Sequence, residues 1–144
     1  MKRILWLAAA LVGAFLLTSC RGKEAARSEI FGLVEKNYDV IAEACENKDV
    51  SALSAIDGVA EIEIHDGYIV AYCMGGGIAP SSQDYGFYYS EDNQPAAIDC
   101  NEDILCDAGD LKPKGKGYQY RDSGQNVFYT EHIIGNIYFY STAY

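Results

Sequence analysis

The sequence predicts an α+β domain: an N-terminal amphipathic helix and a short second helix, packed on a curved antiparallel sheet of about six strands. Three observations carry that expectation. Apolar residues recur at three- and four-residue spacing from Ile30 to Cys45. The period drops to two from Val59 to Cys73. Two tight-turn dipeptides, Asp66-Gly67 and Gly135-Asn136, each join runs of strand-forming residues.

The helix is expected over Glu24 to Lys48. Ile30, Leu33, Val34, Tyr38, Ile41, Ala44 and Cys45 share one face, and Glu35, Lys36, Asp39, Glu43 and Glu46 occupy the others. Ser28 is placed to cap an early turn. Asp49 caps the second helix, Val50 to Ile56, which Asp57-Gly58 ends.

The Asp66-Gly67 turn fixes the register of the first hairpin. Ile64 then faces Ile69, Ile62 faces Ala71 and Ala60 faces Cys73 on one side, while His65 pairs with Tyr68, Glu63 with Val70 and Glu61 with Tyr72 on the other. A loop follows, with Gly75-Gly76-Gly77 and Pro80-Ser81-Ser82. Tyr85 to Ser90 is rich in aromatic strand formers, and Gln94 to Asp99 returns as an edge strand because Pro95 cannot donate to a ladder. Cys100 to Gly117 reads as irregular and polar. Tyr118 to Arg121, Asn126 to Ile134 and Ile137 to Tyr144 are the remaining strands; the Gly135-Asn136 turn sets Ile134 against Ile137 and His132 against Phe139.

The first twenty residues stand apart from this pattern. Lys2 and Arg3 precede an uncharged apolar run, Ile4 to Leu17, that is shorter than the ~20 residues of a membrane-spanning helix. Small residues follow it, so residues 1–19 read as a cleaved signal peptide. Leu17-Thr18-Ser19-Cys20 resembles the lipobox of bacterial lipoprotein precursors. That resemblance implies cleavage before Cys20, lipid (palmitate-type acyl chains) on its thiol, and anchorage to the outer face of the cell membrane, or to the outer membrane where there are two. Residues 20–25 then form a lipidated cysteine and short tether, and residues 26–144 a single domain. The stretches Tyr85–Asp99 and Asn136–Tyr144 resemble small, uncharacterised secreted domains, which implies no activity.

The chain carries a net charge of −10, and loss of Lys2 and Arg3 with the leader makes it more acidic. Phosphate backbones repel such a domain, so nucleic acid is not an expected partner, and anionic headgroups repel it too. Cys45, Cys73, Cys100 and Cys106 form an even set once Cys20 is assigned to lipid. Four cysteines allow three pairings, of which Cys45–Cys73 with Cys100–Cys106 is the economical one; free thiols are the alternative. No C-x-x-C pair is present and the histidines are His65 and His132, which disfavours zinc.

Three sets of residues are candidates for function. Asp99, Asn101, Asp103, Asp107 and Asp110 stand at positions 1, 3, 5, 9 and 12 of an acidic loop, a spacing that resembles EF-hand or dockerin calcium loops. Ile104 departs from the pattern where glycine is needed, so the expected cofactor set is none, with calcium the exception to test. Tyr68, Tyr72, Tyr85 and Tyr88 are candidates for an exposed aromatic face that would meet a glycan or an envelope protein. No nucleophile, base and orienter assemble around His65, His132, Ser81 or Ser82, and catalytic residues are expected to be none. The expected function is therefore non-enzymatic: a binding or structural domain held at the envelope, with an inhibitor of a secreted enzyme and a calcium module as the alternatives.

Overall fold

The computed structural model describes residues 22–76, 81–99 and 109–144. Among these residues three short helices and seven strands are formed. The helices are α1 (Lys23–Lys36), α2 (Tyr38–Glu46) and α3 (Val50–Ser54). The strands are β1 (Glu61–His65), β2 (Tyr68–Gly76), β3 (Gln83–Ser90), β4 (Lys112–Lys114), β5 (Gly117–Arg121), β6 (Val127–Ile134) and β7 (Ile137–Ala143). They make one antiparallel sheet in the order β1-β2-β3-β7-β6-β5-β4.

This corrects the expected architecture of one long helix and a short companion packed on a curved sheet of about six strands. The sheet has seven strands and dominates the domain, and the helical part is three short pieces. The long helix is divided at Asn37. There the side-chain amide donates to the Leu33 carbonyl (2.8 Å), and the backbone N–H reaches the Leu33 and Val34 carbonyls. Asparagine supplies the backbone with an alternative partner, so α1 ends and α2 starts afresh. The α3 cap forms as read: Asp49 accepts from the Ser51 and Ala52 amides, both at 3.1 Å.

Two strand assignments also change. Gln94 to Asp99 is not a strand; it forms a lone bridge at Ala97. Pro95 removes a donor, and the next amide, Ala96, donates to the Tyr88 hydroxyl (2.9 Å) rather than to a ladder. The ladder gains Lys112–Lys114 instead, at the opposite edge from β1.

The β1–β2 hairpin has the register its turn dictates, with Ile64 opposite Ile69, Ile62 opposite Ala71 and His65 opposite Tyr68. Gly67 occupies a positive φ of 78° in the turn. The register slips between Tyr72 and Met74, so Cys73 lies at a bulge, and the Ala60 amide bonds to the Tyr72 carbonyl (2.9 Å). A second bulge at Ile133 alters the last hairpin. Ile134 still faces Ile137, but His132 faces Tyr138 and Glu131 faces Phe139. The expected His132–Phe139 pair is displaced by the one residue that a bulge inserts.

Both sides of the sheet are covered. On one, Ala26, Ile30, Val34 and Ile41 of the helices share a buried cluster with Ile69, Phe87, Ile137 and Phe139. On the other, the extended segment containing Ala96 and Ile98 packs with Val70, Tyr88, Tyr138 and Tyr140. Two-sided burial explains why β3 and β7 are apolar at consecutive positions rather than alternating.

Tyr88 is the pivot of the second side. It is fully buried, its hydroxyl lies 2.6 Å from Thr130 Oγ1 and accepts from the Ala96 amide, and its ring stacks on Tyr138 at 5.3 Å. Burial pushes its phenol pKa upward. Tyr88→Phe leaves the buried Ala96 amide without its acceptor and is expected to cost about 2 kcal/mol. Urea unfolding measures this, and an unchanged midpoint would show that the hydroxyl contributes nothing.

Candidate functional site

The residues proposed for an aromatic face divide on folding. Tyr88 and Tyr85 are core residues, at 0% and 5% exposure, so they cannot present a binding surface. Tyr85 also donates its hydroxyl to Gln83 Oε1. Tyr68 and Tyr72 are half-buried, and the Tyr68 ring lies 6.2 Å from that of Tyr88. Aromatic residues on β2, β3 and β7 therefore fill the two sides of the sheet. Tyr118, on β5, is the exposed large aromatic among the described residues.

Of the acidic loop, Asp99 and Asp110 are described; Asn101, Asp103 and Asp107 lie outside the described residues, as do Cys100 and Cys106. Asp99 accepts a hydrogen bond from the Tyr144 hydroxyl at 2.5 Å. Among the described residues no group of three or more His, Cys, Asp and Glu side chains is arranged to hold a metal. Cys45 and Cys73 are free thiols, so the expected Cys45–Cys73 tie is not made. Cys45 is buried on α2, while the thiol of Cys73, at the β2 bulge, lies 3.9 Å from the Ala71 carbonyl. Burial pushes both thiols up to about 12, which makes each a poor nucleophile at neutral pH.

His65 Nε2 lies 3.3 Å from Glu63 at the first hairpin, and His132 Nε2 lies 2.8 Å from the Gly135 carbonyl at the last. Glu131 and His132 occupy opposite sides of β6, as neighbours in a strand do.

The bulge at Ile133 fixes which side each takes, and it thereby creates a polar centre that sequence reasoning missed. Glu131 is 5% exposed and receives two hydrogen bonds from Arg27, from Nε at 2.7 Å and from Nη2 at 2.5 Å. Tyr129 donates its hydroxyl to the same carboxylate (3.1 Å). The Arg27 guanidinium carbon also sits 4.1 Å from the Phe31 ring centre, and Lys23 Nζ sits 3.7 Å from that of Tyr129. The Arg27 hydrogen bonds hold the Glu131 carboxyl below its ordinary range, and the same bonds raise Arg27. Desolvation, with Glu131 alongside, pushes the Tyr129 phenol up to about 12. Partial desolvation lowers Lys23, and nearby Lys114 acts in the same direction.

Beside this centre the β4–β5 hairpin bounds an open groove of about 520 Å³, lined by Asp110, Lys112, Pro113, Lys114, Gln119, Tyr120 and Arg121. Lys112 pairs with Gln119, and Gln119 with Tyr129, so these three share the side of the sheet that carries Glu131. Lys114 and Arg121 are two residues from Lys112 and Gln119 and take the same side. The sequence contained one trace of this site. Lys112, Lys114 and Lys116 alternate in a chain whose charge is otherwise acidic, but the segment carried no strand pattern to place them.

No helix among the described residues is long and apolar enough to cross a membrane. No family model matches the chain, and no curated protein or solved structure matches it.

Proposed function

We propose that this protein is an exported lipoprotein, acylated on Cys20 and anchored to the outer face of a membrane, whose single domain works by binding or as a structural element rather than by catalysis. One observation carries the reading: a basic start and an uncharged apolar run lead directly into Leu17-Thr18-Ser19-Cys20. Several acyl chains on one cysteine give durable anchorage, since each buried CH₂ contributes ~0.8 kcal/mol. A glycan or another envelope protein is the proposed partner class. The two histidines support a non-catalytic role, because each is engaged in a contact within its own hairpin.

Cys20→Ser tests the anchor. The wild-type protein is expected to sediment with membranes and to have an intact mass that includes acyl groups on residue 20. The variant is expected to lose the acyl mass and to accumulate uncleaved. A wild-type protein whose mature chain begins elsewhere, or whose mass shows no lipid, would end the proposal.

A further inference from the structure

Six of the eight Lys and Arg residues in the described part of the chain gather at one corner: Lys23, Arg27, Lys112, Lys114, Lys116 and Arg121. Three come from the β4–β5 hairpin and its turn, one from the end of β5, and two from the first turns of α1. Distant parts of the sequence are brought together here: Lys23 Nζ lies over the Tyr129 ring, Tyr129 pairs with Gln119, and Gln119 pairs with Lys112. Arg27 is committed to Glu131, and among the described residues Glu24, Asp110 and Asp122 also lie on or next to these segments. Lys112, Lys114, Lys116 and Arg121 remain exposed. The rest of the domain is acidic, so the corner is a local reversal of the molecule's charge.

The position of the corner along the chain gives the charge a direction. α1 begins at Lys23, three residues after Cys20. A chain extends at most ~3.6 Å per residue, so an acylated Cys20 lies within roughly 11 Å of the Lys23 backbone. That is close to the screening length of ~8 Å at physiological salt, whereas acidic groups on the far side of the domain lie beyond it.

We propose that the β4–β5 hairpin and the first turn of α1 form a docking surface for anionic phospholipid, with headgroup phosphates seated in the groove between Lys112, Lys114 and Arg121. The proposal rests on the anchor reading for its geometry. It reverses the expectation, drawn from net charge alone, that anionic headgroups repel this domain: the whole molecule is acidic, but the part that reaches the leaflet is basic. Lysine and proline on an edge strand also discourage strand addition. That role needs no lipid and predicts no response to headgroup charge.

The test uses protein purified from cells making the full chain. Intact mass reports acylation, and the protein is placed in vesicles of phosphatidylcholine alone or of an equal mixture with phosphatidylglycerol. Amine labelling is then read lysine by lysine. Lys112, Lys114 and Lys116 are expected to label at least about fivefold more slowly with phosphatidylglycerol, the effect of roughly one basic charge near an anionic leaflet. Lys36 and Lys48 are the internal reference and should not respond. High salt should abolish the difference, and so should K112E/K114E, whose melting temperature checks its folding. Equal labelling in the two vesicle types overturns the proposal. Equal protection by inorganic phosphate in phosphatidylcholine vesicles also overturns it, because the groove would then be a site for free anions. If intact mass shows no lipid, the anchor reading fails by itself. The unacylated protein mixed with the same vesicles still decides the docking surface by the same labelling.

Discussion

Arg27→Met is expected to destabilise the domain by about 3 kcal/mol and to reverse how its stability responds to acid. The size follows from what is left behind. Glu131 is 5% exposed, and Arg27 supplies two of the hydrogen bonds its carboxylate receives. Removing the cation leaves a buried charge with the Tyr129 hydroxyl as its remaining donor from this group. Removing both members together is far milder, so Arg27→Met with Glu131→Leu should recover most of the loss.

The sign of the pH effect follows from the direction of the shift. In the wild type the folded Glu131 carboxyl lies below its ordinary value, with the Arg27 hydrogen bonds the main cause. Its contribution is therefore complete above the unfolded value of about 4.3 and is lost as pH falls through the lower folded value. In Arg27→Met, burial without the cation raises the same carboxyl. The variant should then gain stability, relative to the wild type, as pH falls toward that unfolded value. Urea unfolding at a series of pH values reads both effects. A loss under about 1 kcal/mol with parallel pH profiles would place this pair with ordinary surface ion pairs.

Gly86→Ala is the second large effect. Gly86 faces Tyr140 across β3 and β7, and a Cβ there would stand 2.0 Å from the Ala71 carbonyl oxygen and 2.6 Å from Tyr140 Cε1. The first obstacle is backbone of a neighbouring strand, so rotamer changes cannot relieve it. Overpacking of this kind is expected to cost about 3 kcal/mol. Gly76→Ala is the control: it is also in a strand, nothing lies within 4 Å of the added carbon, and its effect should stay within about 0.5 kcal/mol. Equal midpoints for the two variants would mean that β2 and β3 can separate to admit a methyl group.

Legibility in the sequence followed the range of the interaction. The Asp66-Gly67 hairpin was readable to the residue from Glu61 to Tyr72, because turn type and alternation are both local. The Asp49 cap was readable for the same reason. The break at Asn37 was not, because the helical pattern of apolar residues runs through it without a gap. The bulge at Ile133 was also invisible: both faces of the hairpin it interrupts carry apolar and aromatic residues, so the pattern did not show which face Glu131 and His132 would take. Its consequence is the polar centre that the pattern did not reveal. It sends Glu131 to Arg27, 104 residues away in sequence. The tyrosines misled for a related reason, since the second layer that buries Tyr88 comes from Ala96 and Ile98, a segment that read as another strand.

The strand order also governs when the domain can form. β7 lies between β3 and β6, so the halves β1-β2-β3 and β6-β5-β4 meet through the strand that comes last in the sequence order. Until Ile137–Ala143 has arrived, each half has an open, strongly apolar edge and no partner for it. Pairing across such separations is slow. On the export proposed above, that delay would keep the polypeptide slack enough to pass outward through a membrane before the last strand closes the sheet.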